Sequence, residues 1–565
     1  MSDPPSTVAS LFTEWRVRPP GRLALDTYRS LGKAANENGE ALLAYDVSRE
    51  GLETWPGDMQ LRQVMALALA RMGSTELARS LLIQIRDEGH DDEESLGLLS
   101  RTYKDLWLRS GSTQDLRAAL NEYSKAYNQS PERYWTGINA ATLAFALKDG
   151  ETSLTLAEQV LRSCEALRAA QPEKQDYWLT ATMAEAELLL DHIPEAERHY
   201  AEARKIGTLG SLLSTWRNAR IILRLMPPAA RTRIQQAFLP PKVAIFEGRW
   251  AGDPEQLAQH LKETGVGVAY SSTAAGPEIE FLEAMQSIGG QTHVVLPYNE
   301  EQFIREKVAS AGADWEDRYR KVRDAGYEVI VCSDQKMKFG NIGNEYAWDV
   351  MRGLARIHAG QLETELVSIG KPSVPSGIIP PRVLGFCVER RAMIFADAFA
   401  FSHLSEEQIP AFITEVMDRV GQLCGDAEPK PEYQNTWGDG LFFVFKSVVE
   451  AGRFALLLSS TIAGIDRKSA GLPEQLALRI GLHAGPVYTF PDQVTKEENY
   501  IGWHVNRAAR IEPVTPAGKI YASDAFAALA ALEAPRQFQF DYVGRIPLAK
   551  DFGEFPMYEL RAGSK

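Results

Sequence analysis

The strongest constraint in this sequence is a change of period. From about Ser30 to Leu225, apolar residues recur at three- and four-residue spacing. Leu, Ala, Arg and Glu dominate there and prolines are rare, so the stretch reads as helix after helix. Short turns punctuate it, among them Trp55-Pro56-Gly57-Asp58, Gln129-Ser130-Pro131 and Lys148-Asp149-Gly150. At Leu239-Pro240-Pro241 the helical period stops, and short buried-strand runs begin to alternate with helices. At about 150 residues per domain, a chain of 565 residues has room for three or four such units.

In the first region, the run DLRAALNEYSKAYNQSPERYWTGINAATLAFALKDG reads as helix, proline-containing turn, helix. Its small residues Ala119, Ala126, Ala140 and Ala141 fall where paired helices must approach closely. The pattern resembles the tetratricopeptide class of helical hairpins, with a period of ~34 residues, over residues 22–230; a generic helical bundle is the alternative. Such arrays carry no catalytic chemistry of their own and imply a concave face offered to a protein partner.

Strand patterns at Lys242–Phe246, Val266–Tyr270, His293–Pro297 and Val329–Cys332, separated by helices, predict a parallel sheet with crossover helices. Ligands of such sheets sit at the carboxyl ends of the strands. Here that means the turn after Phe246, with Gly248, and the turn Ser271-Ser272-Thr273-Ala274-Ala275-Gly276, whose backbone N–H groups are expected to face an anion. YSSTAAGPEIEFLEAM, then THVVLPYNEEQFIREKV, then Trp315 in a charged helix, resemble the SLOG superfamily of Rossmann-like nucleotide-sensing domains, over residues 241–370. The resemblance implies a nucleotide-like ligand near Gly248, Ser271, Ser272, Thr273, Gly276 and Glu283; a purely structural α/β domain is the alternative. A proline-rich segment, 371–382, follows and is expected to be an extended, semi-rigid connection.

From Val383 onward the order is strand, helix, strand, strand, helix, strand. Asp397 ends one apolar strand, and Gly438-Asp439-Gly440 reads as a hairpin turn holding Asp439 at the end of another. Two carboxylates brought together repel, and a hard divalent cation relieves that repulsion. IFADAFAFS, TWGDGLFFVF, RIGLHAGPV, GWHVNRAARIE and PLAKDFGEFPMYEL, in this order, resemble the motifs of class III nucleotidyl cyclases, the adenylate and guanylate cyclases, over residues 383–562. The expected architecture is therefore multidomain: all-α helical repeats, an α/β Rossmann-like parallel-sheet domain, then an α+β ferredoxin-like cyclase domain.

The cyclase resemblance implies attack of a ribose 3′-oxygen on the α-phosphorus of a nucleoside triphosphate, giving a 3′,5′-cyclic nucleotide and pyrophosphate. It implies two Mg²⁺ or Mn²⁺ ions per site on Asp397, Ala398 and Asp439, and a phosphate loop of Phe399, Ala400, Phe401 and Ser402. Asn506 and Arg510, four apart on one helix face, are the implied catalytic pair, and Lys550 the phosphate-binding cation. In that family the metal carboxylates and the Asn/Arg helix of one site come from different domains, which implies a homodimer with shared sites. The base-selecting positions hold Asn435 and Asn499, and an amide both donates and accepts. ATP is the default by family frequency; GTP and a pyrimidine nucleotide stay open. Two residues depart from the family pattern. Ala400 stands for a usual Gly, a methyl tolerated while φ stays negative, and Asp551 follows Lys550 where Gly is usual. A degenerate cyclase fold that binds nucleotide and serves as a dimerising module is the competing reading, and control of a cyclase by the preceding domains is the expected regulation.

Composition narrows the setting. The net charge of −14 disfavours non-specific binding to nucleic acid or to an anionic membrane. No apolar run approaches the ~18 residues of a spanning helix, and the N-terminus lacks a signal pattern. Cys164, Cys332, Cys387 and Cys424 are scattered without CxxC spacing, which points to reduced thiols and a cytoplasmic location.

Overall fold

The computed structural model describes Trp15 and residues 23–130, 134–338, 340–370 and 386–563. The proline-rich segment expected at 371–382 lies outside the described residues. Two compact units are present: Met1–Lys242 with Gly360–Glu365, and Val243–Ala359 with Leu366–Lys565.

The first unit is helical. α1 (Leu25–Glu37), α2 (Ala41–Thr54), α3 (Met59–Arg71), α4 (Thr75–Asp87), α5 (Glu93–Ser110) and α6 (Thr113–Gln129) are followed by α7 (Tyr134–Ala146), α8 (Gly150–Ala170), α9 (Tyr177–Leu189), α10 (Ile193–Ile206), α11 (Leu209–Leu225) and α12 (Pro228–Ala237). Asp58, Asp92, Ser112, Asp149 and Asp176 cap α3, α5, α6, α8 and α9, each side chain accepting from the backbone N–H three residues on. Each such cap is worth about 1 kcal/mol, so the turn residues punctuate the helices for a physical reason. Ala119, Ala126, Ala140 and Ala141 are fully buried, as the close packing of helical hairpins requires.

The last long helix of the array lies against the earlier hairpins. α11 packs against α1, α7 and α9, and it is hydrogen-bonded to α5 and α9 as well. Lys104 Nζ donates to Asn218 Oδ1 at 2.9 Å, Asn218 Nδ2 to Glu185 Oε2 at 3.2 Å, and Tyr177 OH to Thr215 Oγ1 at 2.9 Å. The chain's own helix therefore lies along the first helix of successive hairpins.

The second unit begins with β1 (Lys242–Phe246), α13 (Pro254–Thr264), β2 (Val266–Ser271), α14 (Pro277–Ser287), β3 (Gln291–Leu296), α15 (Ala313–Asp324), β4 (Glu328–Val331), α16 (Ile342–Gln361, its last two residues counted with the helical unit) and β5 (Leu366–Ile369). The five strands form a sheet in the order β4-β3-β2-β1-β5, and the registered ladders are parallel, as expected. β5 was not legible in the sequence: it is four residues long, only its last residue is buried, and the expected strands end at Cys332.

The rest of the unit comprises β6 (Cys387–Phe399), β7 (Tyr433–Trp437), β8 (Gly440–Phe445), α17 (Val448–Ala463), β9 (Ala477–Pro491), β10 (Glu498–Ile501), α18 (Trp503–Ile511), β11 (Ile520–Ser523), α19 (Asp524–Glu533), β12 (Phe538–Pro547) and β13 (Glu554–Ala562). The sheet order is β12-β13-β11-β9-β6-β8-β7, with β10 paired to β9. A long antiparallel ladder between β6 and β9 forms its centre, from Cys387↔Thr489 to Phe399↔Ala477. Because strand side chains alternate, Met393, Phe395 and Asp397 share one face of β6. Met393 packs there with Phe442, Val444, Val487 and Ala508 of α18, while α17 and α19 pack together against β6 and β9.

The parallel-sheet part and the cyclase part touch through α16. Tyr346 OH donates to the Ala484 carbonyl at 2.8 Å, its ring meets His504 edge-on at 5.0 Å, and Asp349 pairs with Arg390 at 2.6 Å. A Cβ on Gly353 would lie 2.1 Å from the Ala528 carbonyl oxygen. Gly353→Ala should therefore destabilise this unit by about 1–3 kcal/mol, read from denaturant unfolding.

Candidate active site

β6 and β8 are held side by side, with Ala396 opposite Leu441, and the β7–β8 hairpin closes between Trp437 and Gly440. Its two loop residues are Gly438 and Asp439. Gly438 takes φ +68, the sign that the first position of a two-residue hairpin turn favours. The result is the expected one: Asp439 comes up to Asp397 at the ends of adjacent strands. Burial and the charge of Asp397 push the Asp439 carboxyl up to about 6.

Two more charged residues complete this cluster, and neither stood out in the sequence. Asp397 lies directly opposite Arg479 on β9 and accepts from it at 2.5 Å; Arg479 also pairs with Glu512 at 2.9 Å. Burial pushes Glu512 up to about 7; Arg479 opposes this, and the charges of Asp397 and Asp439 add to it. Arg479 lies within RIGLHAGPV and Glu512 closes GWHVNRAARIE. The available signal was that each is a charged residue at a terminus of a cyclase-like motif, Arg479 the first of its run and Glu512 the last.

α18 reaches the site because β9 carries glycine at two of the positions that face it. A Cβ on Gly481 would sit 2.7 Å from the Glu512 nitrogen, and one on Gly485 2.3 Å from His504 Nδ1. Between these glycines His483 is fully buried, with Nε2 2.9 Å from His504 Nδ1 and Nδ1 2.7 Å from Ser523 Oγ. His504 Nε2 is buried with no hydrogen-bond partner. The neutral tautomers that avoid an orphaned N–H have His504 Nδ1–H donating to His483 and His483 Nδ1–H donating to Ser523.

Asn506 is exposed on α18 and Arg510 is half-buried one turn on, with its Nε enclosed and without a hydrogen-bond partner. Lys550 is exposed at the β12–β13 turn, where it and Asp551 both have positive φ, +62 and +53. Among the described residues, no hydrogen bond or ion pair joins Asn506, Arg510 or Lys550 to either aspartate of the same chain. Asn435 donates to Tyr433 OH at 3.2 Å, and Asn499 donates to Asp492 at 2.8 Å. The Tyr433 and Tyr500 rings meet at 5.6 Å, which brings β7 and β10 together there, while Asn499 points to the other face of β10 from Tyr500.

The residues expected to form a phosphate loop follow β6 directly. Phe399 is exposed, Phe401 packs on Phe412 at 4.8 Å, and Phe401–His403 (which contains Ser402) form a single 3₁₀ turn. Ala400 departs from expectation: its φ is +71, in the left-handed region, because the chain reverses there to enter that turn. Ala398 points to the opposite face of β6 from Asp397 and is buried, which leaves only its backbone to the site.

The parallel-sheet turn is less open than its sequence implied. Gly248 and Gly276 have φ +83 and +107, but the Ala274 N–H already donates to Glu278 at 2.7 Å and the Ala275 N–H to the Lys307 carbonyl at 3.1 Å. Burial pushes Glu278 up to about 7. Ser271 and Thr273 are fully buried with hydroxyls that make no hydrogen bond, and Ser272 is half-buried. Glu283 belongs elsewhere: it pairs with Arg318 of α15 at 2.5 Å, since its place in the second turn of α14 points it toward that helix.

With this geometry in view, residues 388–561 match the adenylate and guanylate cyclase catalytic domain, and residues 44–144 match the tetratricopeptide repeats-sensor family. The C-terminal third is a class III cyclase catalytic domain, and the chain is a nucleotide cyclase. It carries a helical repeat region ahead of that domain. Similar solved structures include the catalytic core of a rhodopsin-guanylyl cyclase with converted specificity in complex with ATPαS (21% identity, 32% of this chain and 99% of that chain, TM-score 0.27). The adenylyl cyclase CyaB from P. aeruginosa is another (16%, 32% and 98%, TM-score 0.29). A third is the guanylate cyclase domain from Catenaria anguillulae in complex with GTP (21%, 31% and 98%, TM-score 0.27). A comparison with curated proteins finds no match. No helix among the described residues is long and apolar enough to cross a membrane.

Two outcomes follow. Ala400→Gly should stabilise the chain by about 1 kcal/mol, since a left-handed alanine is strained by roughly that much; chemical denaturation reads it. Burial holds His504 down to about 3 and His483 well below its ordinary value. The unfolded chain takes up protons on these histidines below pH ~6.5, so their stabilisation is present above that pH and is lost as pH falls toward 3. His504→Phe should flatten the dependence of unfolding free energy on pH between about 6.5 and 4.

Proposed function

We propose that this cyclase converts a nucleoside triphosphate into a 3′,5′-cyclic nucleotide and pyrophosphate, at sites shared between two copies of the chain. The observation that carries the reading is the meeting of Asp397 and Asp439. A carboxyl raised to about 6 by burial and a neighbouring carboxylate is a group that a cation would re-ionise.

The donor set fits a hard divalent ion. Among the described residues no cluster of three or more His, Cys, Asp or Glu could hold a metal alone. Two aspartates and the Ala398 carbonyl leave positions for phosphate oxygens, the usual habit of Mg²⁺. Bound there, Mg²⁺ or Mn²⁺ supplies Lewis-acid activation of the ribose 3′-hydroxyl and neutralises charge on the departing pyrophosphate.

The chain's own residues do the remainder. Arg479 occupies Asp397 when no cation does, and is free to turn to phosphate oxygens once Asp397 is taken. Asn506 positions the ribose, and the guanidinium of Arg510 faces the charge that builds on the α-phosphoryl oxygens. Lys550 gives the outer phosphates a point charge. Among the described residues, Asn506, Arg510 and Lys550 make no hydrogen bond or ion pair with the aspartates of their own chain, which supports their serving a partner's site across a two-fold axis. Exposed Phe399, Trp437 and Ile501 supply apolar surface for that pairing. Asn435 and Asn499 read the base; ATP is the first substrate to test, then GTP, CTP and UTP.

Purified chain with Mn²⁺ and each of the four triphosphates, analysed by mass spectrometry, should yield one cyclic product in excess. Asp397→Asn should lower its rate at least ~1000-fold. Mixed Asp397→Ala and Arg510→Ala chains should regain activity through one intact shared site. Triphosphate binding without a cyclic product from any of the four would establish the degenerate, binding-only reading.

A further inference from the structure

Three arginines from separate helices of the first unit converge on a cleft with too few carboxylates to match them. Arg71 ends α3, Arg101 lies on α5 and Arg217 on α11; Gly39, Ser214 and Gln361 complete the walls of this narrow cleft, which opens to solvent. Arg101 and Arg217 are 11% and 13% exposed, enough to be reached from solvent yet largely enclosed.

Their charge is poorly answered from within the chain. Arg101 and Arg217 stand on either side of one carboxylate, Asp105, at 3.6 and 3.7 Å, too far for hydrogen bonds. Arg101 Nε, Arg217 Nη1 and Asp105 Oδ2 are thus buried without hydrogen-bond partners. Glu363 accepts from Arg217 Nε at 2.7 Å but is also taken by Arg220. Arg71 donates to the backbone carbonyls of Asn36 and Gly210 and has no ion-pair partner among the described residues. Nearby Lys104 is held by Asn139 and Asn218 and faces Glu185, so that pair adds little net charge.

Asp105 cancels one of the three guanidinium charges, and Glu363 is divided between Arg217 and Arg220. Between one and two positive charges are left facing the space. Burial and the charges of Arg101 and Arg217 bring Arg71 down to about 9, with Glu37 opposing, so it remains charged at neutral pH. Keeping like charges together in an enclosed place is unfavourable unless something compensates them. A single carboxylate would leave a residual charge. A phosphate dianion matches both the charge and the several unpaired N–H groups.

We propose that this cleft is a binding site for the phosphate group of a small phosphorylated molecule, separate from the cyclase active site. Its walls come from the start, middle and end of the helical unit together with Gln361 and Leu362, so the bound anion would cross-link segments far apart in sequence. The chain's net charge of −14 makes an unanswered cluster of arginines more notable, because the overall field repels anions and only a focused local site attracts them.

The test is isothermal titration of the full-length chain with sodium phosphate, against sodium chloride at matched ionic strength. Adenosine 5′-monophosphate forms a second arm that separates a phosphate ester from the free ion. Saturable phosphate binding is expected, weakened at least ~10-fold by Arg101→Gln, a loss of about 1.4 kcal/mol, and retained in Arg510→Ala. Tighter binding of the monophosphate with the same Arg101 dependence would identify an ester as the ligand; phosphate alone would identify the ion. Because Arg71 also ties α11 in place, Arg71→Gln is read only beside its circular dichroism, and Arg101→Gln carries the decision. The proposal is overturned if chloride reproduces the phosphate signal, or if folded Arg101→Gln binds phosphate as the parent does.

Discussion

The candidate active site depends on how closely one short helix lies on one strand. Gly481 and Gly485, two turns of the pleat apart on the same face of β9, leave the space into which α18 settles. The His483–His504 pair between them ties helix to strand by a hydrogen bond in a place water does not reach. A side chain at either glycine would lift α18, and with it Asn506, Arg510 and the Glu512 contact to Arg479. The G-x-H-x-G pattern is thus a packing rule first, and the chemistry is built on top of it.

A second constraint is electrostatic. Three carboxyls, Asp397, Asp439 and Glu512, gather around the one guanidinium of Arg479. Without a cation the cluster is held by that arginine and by partial protonation; the same repulsion is what the proposed divalent ion would relieve. The helical unit shows the inverse arrangement, three guanidiniums lining one cleft with the single carboxylate of Asp105 between two of them. Both clusters are places where the folded chain leaves charge incompletely answered, which is how folded proteins prepare for a charged ligand.

The regulatory reading gains a structural element and loses another. A helix of the parallel-sheet part, α16, touches the cyclase core at Ala484, His504, Arg390 and Ala528, so the two parts are joined by direct packing as well as by the chain between them. In the helical unit, α11 lies along the first helices of the hairpins, so a partner there would meet α11 as well. The strand-end turn of the parallel sheet has given two of its N–H groups to Glu278 and Lys307, which reduces what it can offer an anion.

The sequence alone determined the order of the three architectures, turns between several of the helices, four of the five parallel strands and the placement of Asp397 and Asp439 at strand ends. These are set by local rules: period, cap chemistry, hairpin turns and strand alternation. Tertiary structure decided the rest, because it depends on residues far apart meeting. Arg479 finds Asp397 only through the β6–β9 register, Glu512 reaches Arg479 only because α18 lies against β9, and Ala400 becomes left-handed only because the chain must turn there. Glu283 shows the same limit from the other side. It lay close to a promising turn in sequence, yet helix geometry gave it to Arg318, since neighbours along a chain need not share a site.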